Sequence, residues 1–361
     1  HLFKLKKNKD KHKVYFNMVP NSFFESEKKV SNFEFFFFDN YGLKKKDTTI
    51  YFSSPKSPQK KKKLIYSENI LKADCSISDL KAYLIAMIYS FKFLGKILIN
   101  IKIDYIVLIN EIFLFYFILK KKNIFDFVFF NNSAFSFRPL WTFAQELKKK
   151  KSCIFYFYST NNRALNNYLT KDIFYDTSSS NLLNWSNYLV WSREQLSWLK
   201  TKDKNLFNYQ LTNFIPFEGN KIYINTNSKK NIVLFDTPPQ NQYYYSFMIN
   251  HYNIYTANYV IKFLDDLIKN LINKDYQILI KLKRNLNKEY HHNKYLNFIK
   301  KIENFDNLKI LKENYSTESV LKSSYASISI PFTSTALISK FYKVKTVYYD
   351  PSGKLDNNFN M

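Results

Sequence analysis

Three hydroxyl side chains stand next to one another near the carboxyl end of the chain, where a strand gives way to a helix. The strand is predicted over Ala326 to Ile330, and Thr333, Ser334 and Thr335 open the helix that follows. Free amide groups and the helix dipole at such an end bind phosphate, and hydroxyl groups add further donors. The same residues also suit plain N-capping of the helix, so both interpretations stay open.

Basic side chains mark the end of a second predicted strand, which runs from Tyr276 to Leu282. Alternation places Lys281 and Lys283 on one face of that strand, and Arg284 comes next in the chain. These cations could therefore reach a pyrophosphate at the carboxyl edge of a parallel sheet. The alternative is a solvated strand end in a Lys-rich protein.

A polar pair, Asp236 and Thr237, directly follows another predicted strand, which covers Asn231 to Phe235. In a parallel sheet, ligands bind at the carboxyl ends of the strands, which is where this pair would lie. Pro238 and Pro239 come next, so the pair could equally belong to a simple turn.

The first half of the chain contributes two further candidates. Arg138 follows a predicted strand and could pair with an acceptor phosphate or phospholipid, or form a surface ion pair. Glu146 on the next helix is a candidate general base, because removing a proton from a hydroxyl group needs a carboxylate or a His. Its alternative is an exposed carboxylate beside the lysines at 148–151. We expect His291 and His292 to be exposed loop residues.

Rare residue types exclude whole classes of site. The chain has four Gly, so neither a Walker A loop nor a G-x-G-x-x-G fingerprint can form. Its two Cys cannot build a zinc finger or an iron–sulfur site, and its five His contain no H-E-x-x-H motif. No Asp-x-Asp triplet occurs either. We therefore predict no metal site.

The charge balance points to an anionic partner. The chain carries 55 basic and 29 acidic residues, a net charge of +26, which suits phospholipid or nucleotide-linked substrates. Only four of the basic residues are Arg, the residue that does most recognition of bases, so we expect no nucleic-acid partner. Codon usage in an AT-rich genome is an alternative explanation of the Lys excess.

Hydrophobic patterning in the first half predicts a strand over Phe33 to Phe38 and a later βαβ unit. In that unit, strands at 125–130 and 154–158 flank a helix at 140–149. Leu140, Phe143 and Leu147 are spaced for one face of the helix. The apolar stretch 78–119 is interrupted by charges, which predicts an amphipathic or buried helix, or one lying on a bilayer, rather than a membrane span.

The second half alternates strands and helices from Asn231 to Tyr349, which predicts a parallel Rossmann-like sheet. Its clearest helix covers Ala257 to Ile272, where apolar residues recur at spacings of three and four. A polar run at 225–230 predicts an interdomain loop. We place the boundary near 212–230, with domains at 1–212 and 213–361.

Several segments together resemble one family. The run from Pro331 to Ala336, Pro-Phe-Thr-Ser-Thr-Ala, with Val347 to Gly353 downstream, resembles the PFTS-motif family of bacterial polysaccharide biosynthesis. The segments 138–142, 155–161 and 188–191 are similar to that family as well, so the resemblance covers about 125–353. The family is grouped with surface-carbohydrate proteins of the two-domain GT-B glycosyltransferase architecture.

The resemblance implies an α/β fold of two Rossmann-like domains facing a cleft. The C-terminal domain would bind a nucleotide-sugar and the N-terminal domain would present the acceptor, with Arg138 on the acceptor side. GT-B enzymes use no bound metal, and no permanent cofactor is implied. Further units are expected after Asp350, and the chain begins at His1, so we expect a fragment with a truncated C-terminal domain. The implied donor-site residues are Asp236, Thr237, Lys281, Lys283, Arg284, Thr333, Ser334 and Thr335.

The function that follows is a glycosyltransferase of bacterial surface polysaccharide, such as capsule or O-antigen. It would move a sugar from a nucleotide-sugar to a glycan or lipid-linked acceptor, in the cytoplasm at the inner face of the cytoplasmic membrane. Peripheral contact with an anionic membrane would suit the basic charge. The alternative is a non-catalytic GT-B-like protein that binds lipid-linked glycan or scaffolds an assembly complex at the membrane.

Overall fold

The chain folds into two compact units. The computed structural model describes residues 12–18, 39–44, 47–53, 64–67, 79–97, 103–131, 138–157, 165–166, 173–175, 184–202, 207–212, 214, 230–241, 255–312, 315–331 and 333–355. Unit 1 comprises residues 1–158 and 178–213, and unit 2 comprises residues 159–177 and 214–361. The strand predicted over Phe33 to Phe38 and most of the loop at 225–230 lie outside the described residues.

The described residues form fourteen strands and eight helices. The strands are β1 (His12–Met18), β2 (Thr48–Ser53), β3 (Leu64–Ser67), β4 (Phe127–Asn131), β5 (Cys153–Tyr156), β6 (Leu165–Asn166), β7 (Ile173–Tyr175), β8 (Asn187–Val190), β9 (Asn208–Leu211), β10 (Lys230–Phe235), β11 (Tyr276–Lys281), β12 (Leu308–Leu311), β13 (Ala326–Ser329) and β14 (Lys345–Tyr348). The helices are α1 (Leu80–Ile97), α2 (Ile103–Lys120), α3 (Leu140–Lys148), α4 (Arg193–Lys202), α5 (Ala257–Leu271), α6 (Asn293–Ile302), α7 (Thr317–Lys322) and α8 (Thr335–Phe341).

Unit 1 is built on a seven-stranded sheet in the order β3-β2-β1-β4-β5-β8-β9, with every neighbouring pair parallel. The predicted βαβ unit is confirmed as β4-α3-β5. Parallel sheets are covered on both faces in their interior, and four of the five residues of β4 are buried, whereas the edge strand β9 is mostly exposed. Aromatic side chains fill much of this core: Phe130 and Phe155 both pack against Trp185.

Helix α3 turns a different face to the core than its apolar spacing suggested. Leu140, Phe143 and Leu147 are exposed, the last of them by 71%. The buried face carries Trp141, whose ring meets those of Tyr15 and Phe130, together with Thr142, Ala144 and Gln145. The Gln145 side-chain nitrogen donates to the Phe125 carbonyl oxygen at 2.7 Å, whereas its Oε1 has no partner within the described residues.

The apolar stretch at 78–119 forms two helices, α1 and α2, which pack against each other through ring contacts. The Tyr89 and Tyr116 rings stack with their centroids 4.1 Å apart, and the Tyr83 and Phe113 rings meet edge to face. Within the described part of the chain, no helix is long and apolar enough to cross a membrane.

Unit 2 contains a five-stranded parallel sheet in the order β12-β11-β10-β13-β14, and a short antiparallel pair, β6 with β7. Alternate residues of β10 point to opposite faces. Ile232 and Leu234 pack with α5 and α6, whereas Val233 and Phe235 pack with α7 and α8. The Rossmann-like alternation predicted for this half of the chain is therefore confirmed, as is the α/β class of the whole protein.

Candidate functional site

The carboxyl ends of β10 and β13 lie side by side at the place where the sheet of unit 2 reverses its strand order. Phe235 pairs with Ser329, and the amide of Ile330 donates to the Phe235 carbonyl oxygen at 2.9 Å. Helices α5 and α6 cover one face of the sheet, and α7 and α8 cover the other. Chain segments that leave an edge in opposite directions open a crevice there, which is the usual ligand site of such sheets.

Asp236 is the first residue beyond β10, and its carboxylate is buried, with only 3% of the residue exposed. The hydroxyl group of Tyr295, on α6, donates to Oδ2. Burial raises the pKa of this carboxyl to about 6, and the Tyr295 hydrogen bond, the residue's own amide and the charges of Lys281 and Lys283 limit the rise. Burying an ionised carboxylate in this environment costs folding free energy.

Two polar atoms at this edge have no hydrogen-bond partner within the described residues. They are Oδ1 of Asp236 and Oγ1 of Thr237, both fully buried. Unpaired buried polar atoms are rare in folded proteins because each costs about 1–3 kcal/mol. A ligand hydroxyl or amide could satisfy both: Oδ1 can accept a hydrogen bond, and the Thr237 hydroxyl can donate or accept one.

The basic residues at the end of β11 separate into buried and exposed positions. Lys281 pairs with Phe235 in the sheet, is buried, and donates from Nζ to the Leu282 carbonyl oxygen at 2.5 Å. Lys283 and Arg284 lie beyond the end of the strand and are exposed as residues, although the ammonium group at the tip of Lys283 is desolvated. The pKa of Lys283 is lowered by desolvation of its ammonium group and by the like charge of Arg284. The structure thus brings two predicted cations, Lys281 and Lys283, close to Asp236.

The hydroxyl groups of the turn between β13 and α8 bond mainly to one another. Thr333 Oγ1 donates to the Ile330 carbonyl oxygen at 2.9 Å and lies 2.8 Å from Thr335 Oγ1. Thr335 Oγ1 in turn lies 2.8 Å from Ser329 Oγ. Ser334 is the N-cap residue of α8, but its side chain makes no capping hydrogen bond. The Ser334 hydroxyl group therefore does not cap α8.

A second set of hydroxyl contacts fixes α8 against its neighbouring strands. Ser327 Oγ, on β13, bonds to Ser339 Oγ and Thr346 Oγ1, each at 2.8 Å. The Tyr348 hydroxyl, on β14, donates to the Thr333 carbonyl oxygen at 2.6 Å. Hydrogen bonds from β13 and β14 therefore fix the turn and α8 in place, which leaves the turn little freedom to adjust to a ligand.

Sequence reasoning missed two Tyr residues that anchor the motif segments, one just before α5 and one on it. Tyr255 donates to the Pro331 carbonyl oxygen at 2.9 Å, and Tyr259 donates to Asp350 Oδ1 at 2.8 Å. Asp350 also accepts from the amides of Ser352 and Leu355, and these hydrogen bonds keep its pKa below the usual range although burial opposes them. The downstream part of the motif is thus a turn built around a carboxylate.

The segment that follows β11 secures the loop that follows β10. Gln240 forms an isolated antiparallel bridge with His291, and the His292 amide donates to the Pro239 carbonyl oxygen at 3.0 Å. His291 is buried and accepts at Nδ1 from the Asn287 amide, so the expectation of an exposed loop residue is wrong for it. The loop needs this support because it carries two unpaired polar atoms.

In unit 1, the structure brings Arg138 and Glu146 together. The Arg138 guanidinium is buried and donates to Glu146 Oε2 at 2.5 Å, to the Asn184 carbonyl oxygen at 2.6 Å and to Thr142 Oγ1 at 2.9 Å. It also lies 3.9 Å from the centroid of the Phe143 ring. These contacts join α3 to the segment before β8. An acceptor-side role for Arg138 and a base role for Glu146 stay predictions.

The family comparison agrees with the motif. A family model described as "Polysaccharide biosynthesis PFTS motif protein" matches residues 92–360, well over half of the chain. The protein therefore belongs to the PFTS-motif family of polysaccharide biosynthesis. No curated protein is significantly similar to it.

Solved structures resemble the chain at low sequence identity. One, described as trehalose-6-phosphate from E. coli bound with UDP-2-fluoro glucose, is 10% identical, with a TM-score of 0.44 over 94% of this chain and 85% of that one. A trehalose 6-phosphate synthase from Burkholderia multivorans is 8% identical, with a TM-score of 0.43 over 95% of this chain and 88% of that one. The lipopolysaccharide outer core galactosyltransferase WaaB in its apo form is 10% identical, with a TM-score of 0.40 over 93% of this chain and 80% of that one. With TM-scores below 0.5, the family assignment rests on the family model alone.

Proposed function

We propose that this protein is a GT-B-like glycosyltransferase that builds a bacterial surface polysaccharide. The proposal joins its family membership to one observation, the unpaired Asp236 Oδ1 and Thr237 Oγ1 beside the switch point of the unit 2 sheet. A nucleotide-sugar carries both groups that this edge could use: hydroxyl or amide groups for the unpaired atoms, and a diphosphate for the neighbouring cations. The acceptor would be a glycan or lipid-linked glycan presented by unit 1.

In this proposal, each group at the edge has a stated task. Asp236 accepts a hydrogen bond from a donor hydroxyl or amide through Oδ1, and Thr237 contributes a second one. Lys283 and Arg284, exposed beyond β11, balance the diphosphate charge that grows as the leaving group departs. Because the hydroxyl groups of Thr333 and Thr335 bond to each other, the turn after β13 would contribute its shape and the Ser334 position rather than three free hydroxyl groups.

The transfer itself would be a substitution at the anomeric carbon. A bond forms between the acceptor oxygen and that carbon, and the bond from the carbon to the diphosphate oxygen breaks, releasing the nucleoside diphosphate. The proton of the acceptor hydroxyl passes to a base. Glu146 is the one residue that the sequence nominated for this step. Its Oε2 already accepts from Arg138 and Ser186, whereas its Oε1 has no partner within the described residues.

That engagement favours a second candidate function, in which the protein binds a nucleotide-sugar or a lipid-linked glycan without turning it over. A scaffold of polysaccharide assembly needs the pocket but no base. The two functions separate in one assay: release of nucleoside diphosphate from a bound donor supports the transferase, and stable binding without release supports the scaffold.

The decisive experiment is a titration with UDP-, GDP-, CMP- and dTDP-sugars, following thermal unfolding by far-ultraviolet circular dichroism. A ligand at about 100 times its dissociation constant stabilises the fold by about 2.7 kcal/mol. One nucleotide class should raise the midpoint, and Asp236→Asn with Thr237→Val should abolish the rise. Asp265→Asn is the matched control, because Asp265 pairs with Lys269 on the surface of α5. If no nucleotide-sugar shifts a cooperative transition, the donor site is refuted.

A further inference from the structure

Helix α1 of unit 1 presents its large apolar side chains to the solvent. Leu80, Leu84, Ile88 and Phe91 recur at spacings of four, four and three, so they share one face, which we call the apolar stripe. All four are exposed, Ile88 by 53% and Phe91 by 61%. Over the part of the chain that the structure describes, ten of the sixteen exposed large apolar side chains belong to α1, α2 and α3. An apolar surface of this kind marks an interaction site.

The opposite face of α1 explains why the stripe points outward. It carries the small residues Ala82, Ala86 and Ser90, which are buried in unit 1, Ala86 completely. The Ser90 hydroxyl donates to the Ala86 carbonyl oxygen at 2.8 Å, so the one polar group on this face is satisfied. Small residues allow close packing against the unit, and the core therefore has no room for the larger side chains of the stripe.

The charges on α1 itself have one sign. Helix α1 contains three Lys and no Asp or Glu, and Lys81 and Lys92 are exposed on it. Two nearby carboxylates are occupied elsewhere: Asp79 is buried with Lys121, and Glu111 accepts from the Leu140 amide at 2.8 Å. A helix with apolar residues on one face, flanked only by Lys, is typical of segments that lie in the interface of a membrane.

We propose that the apolar stripe of α1 docks on an anionic phospholipid surface, with Lys81 and Lys92 at the level of the lipid phosphates. Lys side chains suit this position because their stems are apolar and their charged ends reach the headgroups. A second copy of the chain fits the stripe poorly, since a symmetric contact would bring cations together with no carboxylate of α1 to neutralise them. The proposal deepens the peripheral membrane contact expected for the proposed function by naming the surface that makes it.

Vesicle flotation tests the docking surface. Vesicles of phosphatidylcholine alone are compared with vesicles that also contain phosphatidylglycerol, at low and high salt. The protein should float with the anionic vesicles and lose about tenfold or more of its binding on neutral ones, because each Lys near the surface contributes about 1 kcal/mol. Ile88→Gln with Phe91→Gln should lower binding by about tenfold as well, since both side chains would otherwise enter the apolar layer.

Matched variants in unit 2 separate the stripe from general properties of the protein. Phe305→Gln with Val347→Gln removes two exposed apolar side chains, and Lys300→Gln with Lys301→Gln removes the same charge as Lys81→Gln with Lys92→Gln. The controls should float like the wild type, whereas the α1 variants should not. Equal losses in control and α1 variants would overturn the proposal, and so would failure of the wild type to float.

Two further measurements make each outcome decisive. Light scattering that shows a dimer, dispersed by the Ile88 and Phe91 changes in a protein that does not float, would assign the stripe to a second copy and overturn the proposal. The nucleotide-sugar titration is repeated on the same variant, where the midpoint shift should be unchanged. Loss of flotation with an intact shift therefore concerns the docking surface alone, and loss of the shift in the wild type concerns the proposed function alone.

Discussion

The two units treat the boundary between apolar and polar surroundings in opposite ways. In unit 2, α5 buries Phe263 and Leu264, and its exposed Lys262 pairs with Asp266. In unit 1, α1 buries Ala86 and exposes Ile88 and Phe91, while its only charges are Lys. Both helices have an apolar face, but the protein core covers only one of them. An apolar face therefore predicts contact with an apolar surface. Whether that surface is the protein core or lies outside the protein depends on the neighbouring elements.

Unit 2 makes the complementary exception, because it buries a carboxylate. Asp236 lies in the interior with Oδ1 unpaired among the described residues. The buried Arg138 of unit 1 forms an ion pair with Glu146, although Oε1 of Glu146 is also unpaired there. Exposed apolar stripes and buried unpaired charges both cost folding free energy, so natural proteins retain them mainly at functional sites. The comparison supports the docking surface proposed in unit 1 and the ligand edge proposed in unit 2.

The largest expected effect contrasts two Phe residues. Phe263→Ala should lower the free energy of unfolding of unit 2 by about 3–5 kcal/mol, because it opens a cavity in the core. Phe91→Ala should change that of unit 1 by no more than about 0.5 kcal/mol, since its ring is exposed. Urea unfolding measures both, with Trp fluorescence as the probe of unit 1, where all four Trp lie. A large effect of Phe91→Ala would mean that the stripe is packed within the chain.

The next effect concerns the buried carboxylate. Asp236 binds its proton more tightly in the folded state, with a pKa of about 6, than in the unfolded chain, so stability falls as pH rises between about 4 and 6. Above pH 6 the whole penalty is present, and Asp236→Asn should stabilise unit 2 there by about 2–3 kcal/mol. Near pH 4 the difference should vanish. Circular dichroism melts across this pH range measure the effect, and a variant as stable as the wild type at pH 8 would contradict it.

A somewhat smaller effect tests the small-residue face of α1. Ala86→Leu should destabilise unit 1 by about 1–3 kcal/mol, because the added side chain overfills a completely buried position. Leu84→Ala on the exposed face is the control and should leave the Trp-detected midpoint in place. Should Ala86→Leu be tolerated as well as the control, close packing of this face would not be the reason why the stripe points outward.

The smallest effect concerns the surface pair on α5. Lys262 and Asp266 lie 2.5 Å apart at an i,i+4 spacing, and Lys262→Gln should lower the stability of unit 2 by only about 0.3–0.5 kcal/mol. The loss should disappear in high salt, because salt screens exposed charges. Lys92→Gln, on α1, should have no effect on unfolding in the absence of vesicles. A loss that persisted in high salt would point to packing rather than charge.

Much of unit 2 could be predicted element by element, whereas in unit 1 the β4-α3-β5 unit could be predicted and strand β1 could not. Strands such as β10 and β11 are continuous apolar runs, and α5 repeats its apolar residues over four turns, so local pattern identifies them. Strand β1, which lies between β2 and β4 in the sheet of unit 1, has only a short apolar stretch inside a Lys-rich segment. Its place is decided by pairing with β2 and β4, which are far away in the chain.

The candidate site was predictable in position but not in chemistry. The carboxyl ends of parallel strands share one edge of the sheet, so Asp236, Lys281 and the hydroxyl groups of Thr333 and Thr335 were expected in one region. Alternation could not show that Thr333 and Thr335 bond to each other, or that Tyr295 would reach Asp236 from α6. Side-chain partners from distant elements carry no local signal.

By itself, the sequence determined the alternation of strands and helices in unit 2, the family motif, the net positive charge and the apolar face of α5. These follow from residue type and spacing, which act over a few neighbouring positions. Only the tertiary structure decided which apolar faces were buried, which charge was enclosed and which polar atoms were left unpaired. Those outcomes depend on how closely distant segments approach one another. In α1, the small side chains of Ala82 and Ala86 pack against the core of unit 1, so the apolar stripe on the opposite face stays exposed.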